Sequence, residues 1–199
     1  MRYLHLLPVI SCTFLFTSTV VADDKNAHKS LDMQEMIATY QKLAIPGEQH
    51  KLLTGLAGSW TTKTKEWMDP QEPPVESIGS SDGKVLLGGR FLQQESSGSM
   101  HGEPYAGIWT IGYDNLLKRY VSTWIATMGT GIFQMDGTAS DDGKTITFTG
   151  QHAELGGGQM AHRAIWKIVD NNTQEFVMYV THHGGQEMKM LETVYTRKQ

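Results

Sequence analysis

The spacing of apolar residues along this chain changes once, near Gly58. Upstream, Met33, Met36, Ile37, Tyr40 and Ala44 recur at the i, i+3, i+4 spacing of one helix face, and Asp32 with Glu35 resembles a capping box. Pro46 and Gly47 stop that helix. A second, shorter helix is expected over about 48–56, with Leu52, Leu53 and Leu56 on one face and Gly58 past its end. Methionines at helical spacing read as packing residues, not ligands. Downstream the period is two, and runs at 59–68, 75–81, 90–97, 105–113, 119–128, 131–138, 145–152, 161–169, 175–182 and 187–197 read as strands.

The segments between these runs carry turn chemistry: Ser81-Asp82-Gly83-Lys84, Asp114-Asn115, Asp141-Asp142-Gly143-Lys144, Asp170-Asn171-Asn172 and Gly184-Gly185. No long helix interrupts the strands, which disfavours a parallel βαβ architecture. A meander of about 8–10 antiparallel strands must curl, because a flat sheet leaves an apolar face and two edges exposed. The expected fold is therefore mainly β: an up-and-down barrel preceded by one or two short helices. A two-sheet sandwich is the alternative, but it needs longer crossings than the sequence offers. The proline-containing stretch at 69–74 is the segment that most resembles a rim loop.

Residues 1–22 read as a separate object. Arg2 supplies a small positive start, 4–21 is mostly apolar, and Val20-Val21-Ala22 precedes Asp23-Asp24 in the manner of a signal-peptidase site. Ser11, Thr13, Thr17, Ser18 and Thr19 dilute the apolar run, and no basic stop-transfer cluster follows, so a membrane helix is the weaker reading. Lipidation at Cys12 is also weaker, because the apolar segment before it is short and continues beyond it. The expected organisation is a cleaved signal at 1–22, a polar leader and amphipathic helix at 23–49, and a barrel domain at 50–199. The expected location is periplasmic or extracellular, without stable membrane insertion.

Cleavage removes the single cysteine, and with it any disulfide or catalytic thiol. It also leaves 16 basic residues (17 less Arg2) against 21 acidic ones, a net charge of -5 that offers no basic surface to a nucleic acid. At this length packing alone suffices to hold the domain.

Gly58-Ser59-Trp60 opens the first strand after a short helix and resembles the G-x-W signature of lipocalins and the wider calycin group. That resemblance implies that Trp60 plugs the closed barrel end, with Arg197 as the basic residue packed over the indole. The longer set is more specific. His50-Lys51-Leu52-Leu53, Leu56-Ala57-Gly58-Ser59-Trp60, Leu87-Gly88-Gly89-Arg90-Phe91, Gly102-Glu103-Pro104-Tyr105, Gly112-Tyr113-Asp114-Asn115, Met128-Gly129-Thr130-Gly131, Asp142-Gly143-Lys144-Thr145 and Tyr195-Thr196-Arg197 together resemble domain of unknown function 1579, over His50 to Lys198. The resemblance implies a lipocalin-like barrel and transfers no catalytic residue.

With Trp60 inward, alternation puts Thr62, Thr64 and Glu66 on the interior face and Lys63 and Lys65 outside. A partly polar interior points to a lined cavity; the alternative is that a cap or neighbouring strand satisfies Glu66. Tyr105, Trp109 and Tyr113 share one strand face, and Tyr120, Trp124 and Met128 share one face of the next. Such an aromatic wall is either core or the lining of a pocket for a small apolar molecule.

His182-His183 with Met188 and Met190 has the donor types for copper, but adjacent strand residues point to opposite faces, so no metal is assigned. Haem, with His152 or His162 as axial ligand, is a further possibility by analogy with other calycin barrels, and no cofactor is assigned. H-E-x-x-H and a phosphate loop do not occur in the sequence, and no catalytic residue is assigned. The leading expectation is a non-catalytic binder of a small, largely apolar ligand. An enzyme using Glu66 with a nearby histidine, and a filled structural or interaction barrel, are the alternatives.

Overall fold

The computed structural model describes residues 32–182 and 184–199. The expected signal at 1–22 and His183 lie outside the described residues. Helix α1 (Met33–Leu43) starts where the Asp32 carboxylate accepts the Glu35 backbone N–H at 2.8 Å. None of its residues is buried: Met33 and Tyr40 are 67% and 62% exposed, so the methionines expected to pack do not. Helix α2 (Glu48–Gly55) does pack. It buries His50 and Leu53, with Leu56 just beyond its end, and lies against the strands Phe91–Met100 and Glu103–Asp114. The His50 Nδ1 accepts the Gly47 backbone N–H at 3.0 Å, which takes care of one orphan donor at the helix start.

Ten strands follow: β1 (Gly58–Glu66), β2 (Val75–Leu86), β3 (Phe91–Met100), β4 (Glu103–Asp114), β5 (Arg119–Ala126), β6 (Phe133–Ala139), β7 (Thr145–Ala153), β8 (Gln159–Asp170), β9 (Thr173–His182) and β10 (Met188–Arg197). Each pairs antiparallel with its sequence neighbours, and β1 pairs with β10 to close the barrel. Closure leaves no open sheet edge and gives a lipocalin-like, up-and-down architecture. Among the described residues no helix is long and apolar enough to cross a membrane.

One expected turn is misplaced. Ser81-Asp82-Gly83-Lys84 lies inside β2, and the chain reverses instead between β2 and β3, where Leu87, Gly88 and Gly89 take positive φ values of 48°, 66° and 90°. The glycine at 83 serves a close approach. A Cβ there would stand 3.1 Å from the Leu56 carbonyl oxygen and 3.2 Å from Ala57 Cα, where the α2–β1 link crosses the strand.

The half of the barrel next to α2 is filled. Leu53, Leu92, Ile111, Ile146, Phe148 and Trp166 are 0% exposed, and Tyr120 is 2% exposed. The Trp166 indole donates to Gln174 Oε1 at 2.9 Å, so its polar atom is satisfied inside this core. Trp60 is also fully buried and donates to the Leu56 carbonyl at 3.1 Å. Arg197, its register partner across β1 and β10, lies over the ring at 4.1 Å.

Candidate functional site

Alternation along β4 sends Tyr105, Gly107, Trp109, Ile111 and Tyr113 inward, and the position along the barrel decides what each one meets. Ile111 and Tyr113 lie toward α2, in the filled half. Trp109 packs edge-on against Phe148, Trp166 and Phe176, with ring centres 5.8, 4.9 and 5.5 Å away. These rings form a floor. Beyond them the interior opens into a cavity of about 540 Å³, within the size range of small-molecule sites.

The cavity wall is apolar and aromatic. Trp109, Trp124, Phe133 and Phe176 contribute rings, and Met100, Met128, Met135, Met160, Met178 and Met190 contribute thioethers. Gly107 makes room for one of the rings, because a Cβ there would collide with the Trp124 indole. Polar groups are few. Thr64 and Thr193 share a hydrogen bond at 3.0 Å, and Tyr105 and Tyr195 bring phenols whose pKa values burial pushes up, with Glu66 adding to the effect at Tyr105.

At the mouth, His152 on β7 and His162 on β8 face each other. The His162 Nε2 and His152 Nδ1 are 2.8 Å apart, and Phe133 packs against both rings. His162 is 7% exposed and His152 lies on the exposed rim. Burial, followed by the neighbouring His152 and His182, lowers the His162 pKa to about 4, so its imidazole is neutral across the physiological range. Its Nδ1 is buried without a hydrogen-bond partner. His182 hydrogen-bonds Glu154 through Nδ1 at the adjacent strand end.

The residues singled out from the sequence divide into two groups. Thr64, Tyr105, Trp109 and Trp124 line the cavity. Thr62, Glu66 and Tyr120 do not. Thr62 is buried in β1 beside Gly79, and Tyr120 packs on Tyr113 at 5.0 Å in the filled half. Glu66 is 5% exposed; its Oε2 accepts the His101 backbone N–H at 3.3 Å and stands 3.6 Å from the His101 ring nitrogen. Of the copper-type residues, Met190 lines the cavity and His182 is engaged by Glu154. Among the described residues no group of three or more His, Cys, Asp or Glu is placed to hold a metal.

Apart from Met128, placed on the Trp124 face, sequence reasoning missed the methionine lining and the juxtaposition of His152 with His162. The signal was available in the parity of β8, where Met160, His162, Ala164 and Trp166 occupy alternate positions and the last two are fully buried core.

A closed meander with a helix-plugged end, an arginine over a buried tryptophan, and one apolar cavity at the other end defines a lipocalin-like barrel. The chain belongs to the family described as protein of unknown function (DUF1579), whose model matches residues 45–197. No curated protein matches the sequence. Among solved structures, the chain is similar to Rv2717c from M. tuberculosis, at 15% identity and a TM-score of 0.58, over 78% of this chain and 100% of that one. It is also similar to the S-type phycobiliprotein lyase CPES from Guillardia theta, at 11% identity and a TM-score of 0.54, over 75% of this chain and 92% of that one. Both likenesses are likenesses of fold.

Proposed function

We propose that this protein is a non-catalytic binder of one small, largely apolar molecule, held in the open half of the barrel. The observation that carries the reading is the cavity of about 540 Å³ with an aromatic floor and a wall of methionine and aromatic side chains. Flexible thioethers adapt to irregular apolar shapes, and the rings supply most of the contact area. The few polar groups on the wall set orientation. The proposal includes export of the chain after cleavage at residue 22, which places the binding step in the periplasm or outside the cell.

Native mass spectrometry of protein purified from its own compartment tests the reading, together with titration by an environment-sensitive apolar fluorophore. A co-purified small molecule, or saturable one-to-one binding of the probe that Trp124→Ala weakens, supports it. Protein that is repeatedly free of small molecules and binds no probe overturns it.

A further inference from the structure

We propose that the mouth of the cavity holds a soft monovalent metal ion, Cu(I), between His152, His162 and the thioether of Met160. The sheet register brings these donors together. Met160 is the register partner of His152 on β7 and of His182 on β9, and His162 follows Met160 by two residues and so shares its face. Directly paired residues on one face have Cβ atoms about 4.5–5.5 Å apart, close enough for long side chains to converge on one point.

The facing nitrogens of His152 and His162 are 2.8 Å apart, so one shared proton sits where a bridging cation would sit, and His162 is more than nine-tenths buried. Met135 lies against the same spot: a Cβ on Gly150, the register partner of His162, would stand 2.8 Å from Met135 Cγ. Imidazole with thioether is a donor set that suits Cu(I), whereas carboxylate, carbonyl and water suit harder divalent ions.

Metal–imidazole bonds of about 2.0 Å meeting at a trigonal angle place the two nitrogens about 3.5 Å apart. The rings therefore part by less than an ångström, and His152, on the exposed rim, is free to make that movement. Both ligating nitrogens are unprotonated in the complex. The proton that the two rings share in their 2.8 Å hydrogen bond leaves that position; with His152 as donor it passes through solvent to the other nitrogen of that exposed ring, so the neutral pair takes up the ion with no net proton release.

The test is anaerobic titration of the full protein against the Cu(I)–bicinchoninate complex at neutral pH. The expected result is withdrawal of one Cu(I) per chain. His152→Ala, at an exposed position, should weaken it by more than the roughly 10–100-fold typical of an outer-shell change, and Met160→Leu should weaken it while preserving apolar volume. X-ray absorption should show both nitrogen and sulfur neighbours. No withdrawal of Cu(I), unchanged affinity in His152→Ala, Zn(II) bound as tightly as Cu(I), or a nitrogen-and-oxygen shell without sulfur would each overturn the proposal. Probe binding is measured on the unsubstituted protein, so failure of Cu(I) withdrawal beside saturable probe binding overturns the metal site alone, and Cu(I) withdrawal without probe binding overturns the apolar reading alone.

Discussion

The guanidinium of Arg197 lies 4.1 Å from the centre of the Trp60 ring and at the same time donates to three backbone carbonyls, those of Gly55, Ala57 and Asn171. One side chain thus ties the end of α2, the start of β1 and the β8–β9 turn to the last strand. Its planar fork accounts for the choice of residue, since an ammonium cannot cover the indole and reach three carbonyls together. Arg197→Ala is expected to destabilise the barrel by about 2 kcal/mol, combining lost charge-assisted hydrogen bonds with a lost cation–π contact. Arg197→Lys should recover less than half of that. Urea unfolding followed by circular dichroism measures both, and a lysine variant as stable as the parent would contradict the account.

Gly107 sits where the Trp124 ring crosses β4, and a methyl group there collides with that ring. Gly107→Ala is therefore expected to displace Trp124 into or out of the cavity and to cost about 1–3 kcal/mol, the usual range for overpacking. Probe binding should fall along with stability. If both stay at parent levels, the ring has room the structure does not show, and the role assigned to this glycine is wrong.

Tyr120 contributes to the alkaline limb of stability, together with Tyr105 and Tyr195, whose pKa values burial also raises. Burial, with Tyr113 as a smaller contributor, raises the Tyr120 pKa to about 12, against about 10 for an unfolded tyrosine. The unfolded chain therefore releases this proton first, and the folded state loses stability as pH rises from about 10 to about 12, by about 2–3 kcal/mol in all. Tyr120→Phe removes the phenol while keeping the ring, so its stability should fall less steeply over that interval. Chemical denaturation at a series of alkaline pH values tests this, and an unchanged slope would show that other groups carry the effect.

The sequence and the structure agree best where a local rule acts alone. The switch from helical to period-two spacing at Gly58, the Asp32 cap and the inward parity of Trp60, Thr62, Thr64 and Glu66 all follow from nearest-neighbour chemistry. Depth along the barrel axis does not. Tyr113 and Trp109 have the same parity on β4, yet one packs under α2 beside His50 and the other floors the cavity, because depth depends on the stagger of all ten strands. The Ser81–Lys84 turn failed for a related reason: a glycine chosen for close approach to the α2–β1 link has the same sequence appearance as one chosen for a turn. The histidine pair required cross-strand register, which fixes His152 opposite Met160, next to His162, and is not written in either strand separately.

Trp166 and Gln174 offer a test of polar satisfaction within the core. Both are 0% exposed; the indole N–H donates to Gln174 Oε1 at 2.9 Å, while Gln174 Nε2 has no partner. Gln174→Leu removes one unsatisfied donor but orphans the indole N–H, so the two desolvation terms oppose each other and a net loss of about 1 kcal/mol is expected. In a Trp166→Phe background the N–H is already gone. There the same Gln174→Leu change removes an amide left with neither group paired, and it should stabilise the protein relative to Trp166→Phe alone. The sign reversal is the diagnostic result of the double-mutant cycle, measured by equilibrium unfolding of the four proteins. Equal effects of Gln174→Leu in both backgrounds would mean that the indole hydrogen bond makes no energetic contribution of its own.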